Sequence, residues 1–149
     1  MDLHVKRFDE LETRELYEIL RARVAVFVVE QECAYQDLDG LDQCAYHVWF
    51  TEDNQLVAYL RAVDAGALYP EVCIGRVLSC TRGGGVGRQL LAEGIRVAHD
   101  LMKASAIRVE AQSYAQGFYE KQGFKRVSDE FMLDGIPHVE MLRERLDAD

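Results

Sequence analysis

An apolar β-type run, Val72 to Cys80, leads into Arg82-Gly83-Gly84-Gly85-Val86-Gly87-Arg88, and an amphipathic helical pattern begins at once. This junction constrains the fold more than any other stretch. A strand feeding a glycine loop and then a helix exposes free backbone amides at a helix N-terminus, where the helix dipole also favours an anion. Glycine adopts backbone conformations closed to other residues and lets a ligand come close. Arg82 and Arg88 flank the loop with no acid beside them. On glycines alone, a phosphate cradle and an ordinary glycine turn are equal readings. Two familiar phosphate loops are excluded. A Walker A loop needs Lys and then Ser or Thr after its last glycine, where this chain has Arg88 and Gln89. The third glycine of a dinucleotide fingerprint would fall on Arg88 or Leu90.

The rest of the chain alternates in period. Leu3 to Phe8 reads as a short strand. Leu16, Ile19, Leu20, Val24, Phe27 and Val28 recur at helical steps, with Thr13 placed to cap the start. Tyr46 to Thr51 and Leu56 to Val63 flank Glu52-Asp53-Asn54-Gln55 as a hairpin. Val86, Leu90, Leu91, Ile95, Ala98, Leu101 and Met102 form the stripe of a second helix. Ile107 to Gln112 is a strand, and Tyr114 to Gln122 a short helix stopped by Gly123. Phe124 to Leu133 and Pro137 to Leu142 are strands joined around Asp134-Gly135. The order β-α-loop-β-β-β-α-β-α-β-β predicts an α/β fold with a mixed, mostly antiparallel sheet flanked by helices.

A length of 149 residues is expected to form one domain, residues 1–149, with one core. Lys and Arg number 17 against 26 Asp and Glu, a net charge of −9, which argues against nucleic acid as a partner. No apolar run is long enough to span a membrane, and Met1 to Lys6 has no features of a secretory signal, so a cytoplasmic location is expected. Cys33, Cys44, Cys73 and Cys80 form no Cys-x-x-Cys pair and read as reduced thiols, so no metal is expected. Asp37-Leu38-Asp39-Gly40-Leu41-Asp42 fails the calcium-loop register, because Leu41 stands where an oxygen ligand is needed.

Arg82-Gly83-Gly84-Gly85-Val86-Gly87-Arg88 resembles the pyrophosphate loop of the GNAT superfamily of acyl-CoA-dependent N-acyltransferases. Phe118-Tyr119-Glu120-Lys121-Gln122-Gly123-Phe124 resembles its C-terminal helix-then-strand block. Val26 to Gln31, Tyr35 to Gly40, Ile74 to Val77 and Asp134 to His138 resemble the ElaA-like branch, and the similarity covers nearly the whole chain. The stretch from Arg76 to Arg82 is shorter than this resemblance leads one to expect.

The resemblance implies a GNAT-like domain with acetyl-CoA as cosubstrate and an amine, small molecule or peptide, as acceptor. Arg82, Gly83, Gly84, Gly85, Val86, Gly87 and Arg88 would hold the pyrophosphate, and Val77, Leu78 and Ser79 the pantetheine arm. Tyr119 matches the tyrosine that gives a proton to the departing thiolate; local sequence alone favours a core tyrosine beside Phe118, and the motif match turns the reading. No motif identifies a base. Glu110, a polar residue in an apolar strand, is the candidate, with a solvated strand face as its other reading. Glu30, His47 and His138 are candidate substrate-side groups. The acidic segment Glu30 to Asp42 would attract a cationic amine, or is a solvated loop. A homodimer stays open. So do a non-catalytic acyl-CoA-binding module and an enzyme using a longer acyl group.

Overall fold

The hairpin around Asp53-Asn54 fixes the register from which the sheet is built. Both turn residues have positive φ (51° and 62°), as a two-residue turn matched to strand twist requires, and Asp and Asn tolerate that region best after glycine. In the computed structural model, which describes residues 1–81 and 83–145, this turn joins β2 (Ala45–Glu52) to β3 (Gln55–Val63). β1 (Asp2–Arg7) pairs antiparallel with β2, and β4 (Val72–Ser79) antiparallel with β3. The chain then crosses through α2 (Val86–Arg96), which supplies the long connection a parallel pair needs, and β5 (Ala106–Gln112) lies parallel to β4. After α3 (Gln116–Glu120), the segments β6 (Lys125–Arg126) and β7 (Phe131–Leu133) both pair with β8 (Ile136–Glu144), which pairs with β5. The result is an eight-stranded mixed sheet, mostly antiparallel, in the order β1-β2-β3-β4-β5-β8-β6.

Several local expectations are corrected. α1 (Thr13–Arg23) is capped by Glu12 and not by the Thr13 hydroxyl, with the Glu15 carboxylate accepting the Glu12 amide (2.9 Å). Past Arg23 the valine-rich run Val24–Glu30 widens into π-type turns, with Gln31 N–H bonded to Val26 O and Cys33 N–H to Val28 O. Val24, expected in the apolar stripe, is exposed, and Arg23 is buried in its stead. The helix expected over Tyr114–Gln122 shortens to α3 after a 3₁₀ turn at Ser113–Ala115. The strand expected over Phe124–Leu133 breaks at Ser128, whose hydroxyl leaves the strand pattern to accept the Glu140 amide (2.9 Å).

The two faces of the sheet differ in chemistry. Leu60, Ile74, Leu90, Leu91, Val109 and Met141 belong to the larger core beneath α2. There Gly94 lets the helix sit directly on the sheet, since a Cβ at that position would lie 2.7 Å from Leu60 Cδ2. On the other face Ile19, Trp49, Tyr59 and Leu78 form a smaller core against α1.

Beside that second core lies a buried ion cluster. Arg23, 0% exposed, reaches Asp37 Oδ2 (3.0 Å) and Asp42 Oδ1 (2.6 Å). Arg61 pairs with Asp39 and Asp42, and Arg76 with Asp37 and Asp39. Tyr35 donates to Asp37 Oδ1 (2.6 Å). Three cations and three carboxylates thus pin the segment 35–42 to α1, β3 and β4. Burial opposes ionisation of Asp39 and Asp42, but hydrogen bonds from Arg61 to the first and Arg23 to the second outweigh it and hold both below the usual carboxylate range.

Removing one partner of a buried ion pair strands the other charge, a loss of about 3–5 kcal/mol. Arg23→Met should therefore lower the urea midpoint strongly at near-constant m-value. Unchanged stability would contradict this account of the cluster. Because the folded-state values of Asp39 and Asp42 are depressed, their contribution is present above the unfolded carboxylate value of about 4 and is lost as pH falls below it. A thermal melt should fall steeply below about pH 4, and Asp39→Asn should flatten that limb.

Candidate active site

The parallel pair β4–β5 is bridged only at Val72–Ile107, Cys73–Arg108 and Ile74–Val109. From Gly75 and Glu110 onward the two strands are unpaired. β4 is deflected at this point by a bulge: its register with β3 slips between Tyr59 and Arg61, and Arg76 takes a left-handed conformation (φ 52°). That conformation directs the Arg76 guanidinium to Asp37 and Asp39. Gly75 has an ordinary φ, so its backbone does not demand glycine, and a Cβ there would meet nothing within 4 Å.

The parting strands open a cleft of about 760 Å³. Val77, Leu78 and Ser79 line one wall, Glu110, Gln112 and Tyr114 the other, and Phe118 and Tyr119 enter from α3. Glu30 borders it from the extension of α1, and His138 from β8. Its far end is joined by two contacts across the opening, Gln112 Nε2 to Gln31 Oε1 (3.4 Å) and the Cys33 thiol to Asp134 O (3.3 Å).

The glycine loop stands at the near end. Gly83, Gly84 and Gly85 all have positive φ (79°, 72° and 75°), and Gly85 caps α2. The amides of Val86, Gly87 and Arg88 precede the first intrahelical bond, Gln89 N–H to Gly85 O (3.0 Å). The Arg88 guanidinium folds back over Gly85, where a Cβ would lie 3.2 Å from its Nη2. The left-handed turn, open amides and cation suit a phosphate. Arg82 lies outside the described residues. Two sequence blocks far apart in the chain meet here. Gly87 sits beside the Phe118 ring, and Gln122 Nε2 donates to Arg88 O (2.9 Å).

Tyr119 is 8% exposed, packed edge-on between Phe118 and Phe124. Burial pushes its phenol well above its ordinary value, so it carries its proton at neutral pH. Glu110 accepts a hydrogen bond from the Tyr69 hydroxyl (2.9 Å). His138 donates from Nδ1 to Ile136 O (2.7 Å) and stacks beside Phe131. The Cys80 thiol is pushed up by burial and by the charge of Glu30.

Two substrate-side expectations do not hold. His47 is fully buried on β2 and away from the cleft. Its Nδ1 meets the Tyr59 hydroxyl (2.7 Å), its Nε2 meets Asp42 O (2.9 Å), and burial depresses its protonation. It anchors the acidic loop. Asp37 and Asp42, 3% and 7% exposed, are not a lure for cations, because the arginine cluster neutralises them. The reason escapes local reading: every compensating cation lies outside the acidic stretch.

The same architecture recurs in known proteins. The sequence matches the acetyltransferase (GNAT) domain family over residues 13–145. Protein ElaA of Escherichia coli (strain K12) is 38% identical over 151 residues, covering 99% of this chain and 97% of its own. The crystal structure of Escherichia coli ElaA superposes with a TM-score of 0.88 at 36% identity, over 96% of this chain and 99% of that one. An acyl-CoA N-acyltransferase from Pseudomonas aeruginosa superposes with a TM-score of 0.90 at 38% identity, again over 96% and 99%. With most of its length accounted for, the chain belongs to the GNAT family, with ElaA among its relatives. It is an acyltransferase.

All four cysteines are free thiols, and burial pushes Cys73 up to about 12. At pH 8, iodoacetamide should label Cys80 in the native protein and reach Cys73 only after denaturation, read by peptide mass spectrometry. Labelling of both at one rate would contradict the packing at the base of the cleft.

Proposed function

We propose that the protein moves an acetyl group from acetyl-CoA to a primary amine, on a small molecule or peptide, by direct attack on the thioester. The observation that carries this reading is the parting of β4 and β5, with Tyr119 and Glu110 lining the same opening. Gly83, Gly84, Gly85, Val86, Gly87 and Arg88 are the groups we assign to the pyrophosphate, and Arg82 joins them by sequence alone. The edge of β4 released from β5, over Val77, Leu78 and Ser79, offers backbone groups to the amides of the pantetheine arm. Glu110 takes one proton from the incoming ammonium; the amine then attacks the carbonyl, the C–S bond breaks, Tyr119 gives its proton to the departing thiolate, and the second proton of the nitrogen restores the Tyr119 phenol. A buried phenol held in its protonated form is suited to that step. Glu30 and His138 line the same cleft, and we assign them to the acceptor. We place the reaction in the cytoplasm, where acetyl-CoA and reduced thiols coexist, and assign residues 1–149 to one catalytic domain.

The test is a panel of primary amines with acetyl-CoA and with butyryl-CoA, read as free thiol. Thiol release that depends on the amine and is faster with acetyl-CoA supports the reading. Release with the longer thioester only would assign a different donor. Tyr119→Phe keeps the ring and loses the proton, so single-turnover rates should fall about 10²–10⁴-fold with acetyl-CoA affinity unchanged. A fully active Phe variant would remove Tyr119 from the chemistry.

A further inference from the structure

Glu110 stands in an unusual electrostatic position. Across β8 its direct partner is Glu140, and one step back on the same face of β5 is Arg108. That arginine is committed elsewhere, with Nε on Glu71 Oε1 (2.9 Å) and Nη1 on Glu140 Oε1 (2.9 Å). Glu110 is held instead by a neutral donor. Tyr69, on the segment between β3 and β4, places its ring over the Arg108 guanidinium (5.1 Å to the centroid) and its hydroxyl on Glu110 Oε1 (2.9 Å). The segment is itself closed by Gly66 N–H to Tyr69 O (2.7 Å). Among the described residues, Oε2 of Glu110 has no hydrogen-bond donor.

We infer that Tyr69 is a positioning residue, whose hydroxyl fixes one oxygen of Glu110 so that the other faces the acceptor amine in the cleft. A guanidinium in that place would engage both carboxylate oxygens; a single hydroxyl fixes one and leaves the other to the cleft. The arrangement runs in one chain: Glu71 and Glu140 hold Arg108, Arg108 carries the Tyr69 ring, and Tyr69 aims Glu110. This rests on the reading of Glu110 as the base.

A double-mutant cycle separates the two ideas. The probes are acetyl-CoA and the best primary amine of the panel, with kcat and KM measured for parent, Tyr69→Phe, Glu110→Gln and the double variant. The Phe ring keeps its place over Arg108, so the melting temperature and the calorimetric affinity for acetyl-CoA should stay at parent values. Tyr69→Phe should lower kcat about tenfold with little change in KM. Glu110→Gln should lower it about 10²–10⁴-fold, and the double variant should be no slower than Glu110→Gln alone. If Glu110→Gln is impaired while Tyr69→Phe matches the parent, or if the two losses multiply, the role of Tyr69 is overturned and the base survives. If Glu110→Gln is fully active, or no amine accelerates thiol release by the parent, the base reading fails and the inference falls with it.

Discussion

Ile74 and Val109 are the last bridged pair of two parallel strands, and the working geometry follows from what happens one residue later. β4 stays paired to β3, but only after a bulge at Arg76 has shifted its register; β5 stays paired to β8 as far as Gln112. Each strand keeps one partner and loses the other. The unpaired inner edges would be costly if sealed in the core, because buried backbone groups without partners lose hydrogen bonds outright. Opening them onto a cleft removes that cost and supplies an extended hydrogen-bonding edge. Gly75 and Glu110 stand at its base, and α3 brings Tyr119 to it from the larger core.

The ion cluster is the counterpart of this opening. The bulge at Arg76 leads into the diverging part of β4, and its side chain grips the segment 35–42 through Asp37. Arg23 on α1 and Arg61 on β3 hold the same carboxylates. A segment with no regular structure over most of its length is thereby fixed by charge and hydrogen bonds in place of an apolar face. The formal charges of these three arginines and three aspartates balance, so under the proposed reaction a cationic acceptor would be drawn by carboxylates that line the cleft, Glu110 and Glu30.

Much of this was legible in the sequence. Periodicity located the hairpin, both longer helices and β5, because each of those elements buries a clear face. The glycine loop and the Phe118–Phe124 block signalled the fold together, and their meeting through Gly87–Phe118 and Arg88–Gln122 explains why they occur as a pair. What escaped detection depended on partners distant in sequence. His47 looked like a titratable cleft residue because nothing local shows that Tyr59 and Asp42 enclose it. The aspartates looked solvated because Arg23, Arg61 and Arg76 come from three other elements. Tyr69 had no motif at all; only its contact with Glu110 forty-one positions later reveals it. The wide turns after Arg23 shift the stripe and leave Val24 exposed, and the valines there, only slightly unfavourable to helix, do not announce it.

In the reaction proposed above, the unpaired edges of β4 and β5 receive the thioester. A crystal structure of the protein with coenzyme A bound tests it most directly. The pyrophosphate should lie on the amides of Val86 to Arg88, the pantetheine arm along Val77 to Ser79, and the sulfur beside the Tyr119 hydroxyl. A cofactor bound with its thiol outside the opening between Gly75 and Glu110, or with β4 and β5 paired through that region, would contradict it.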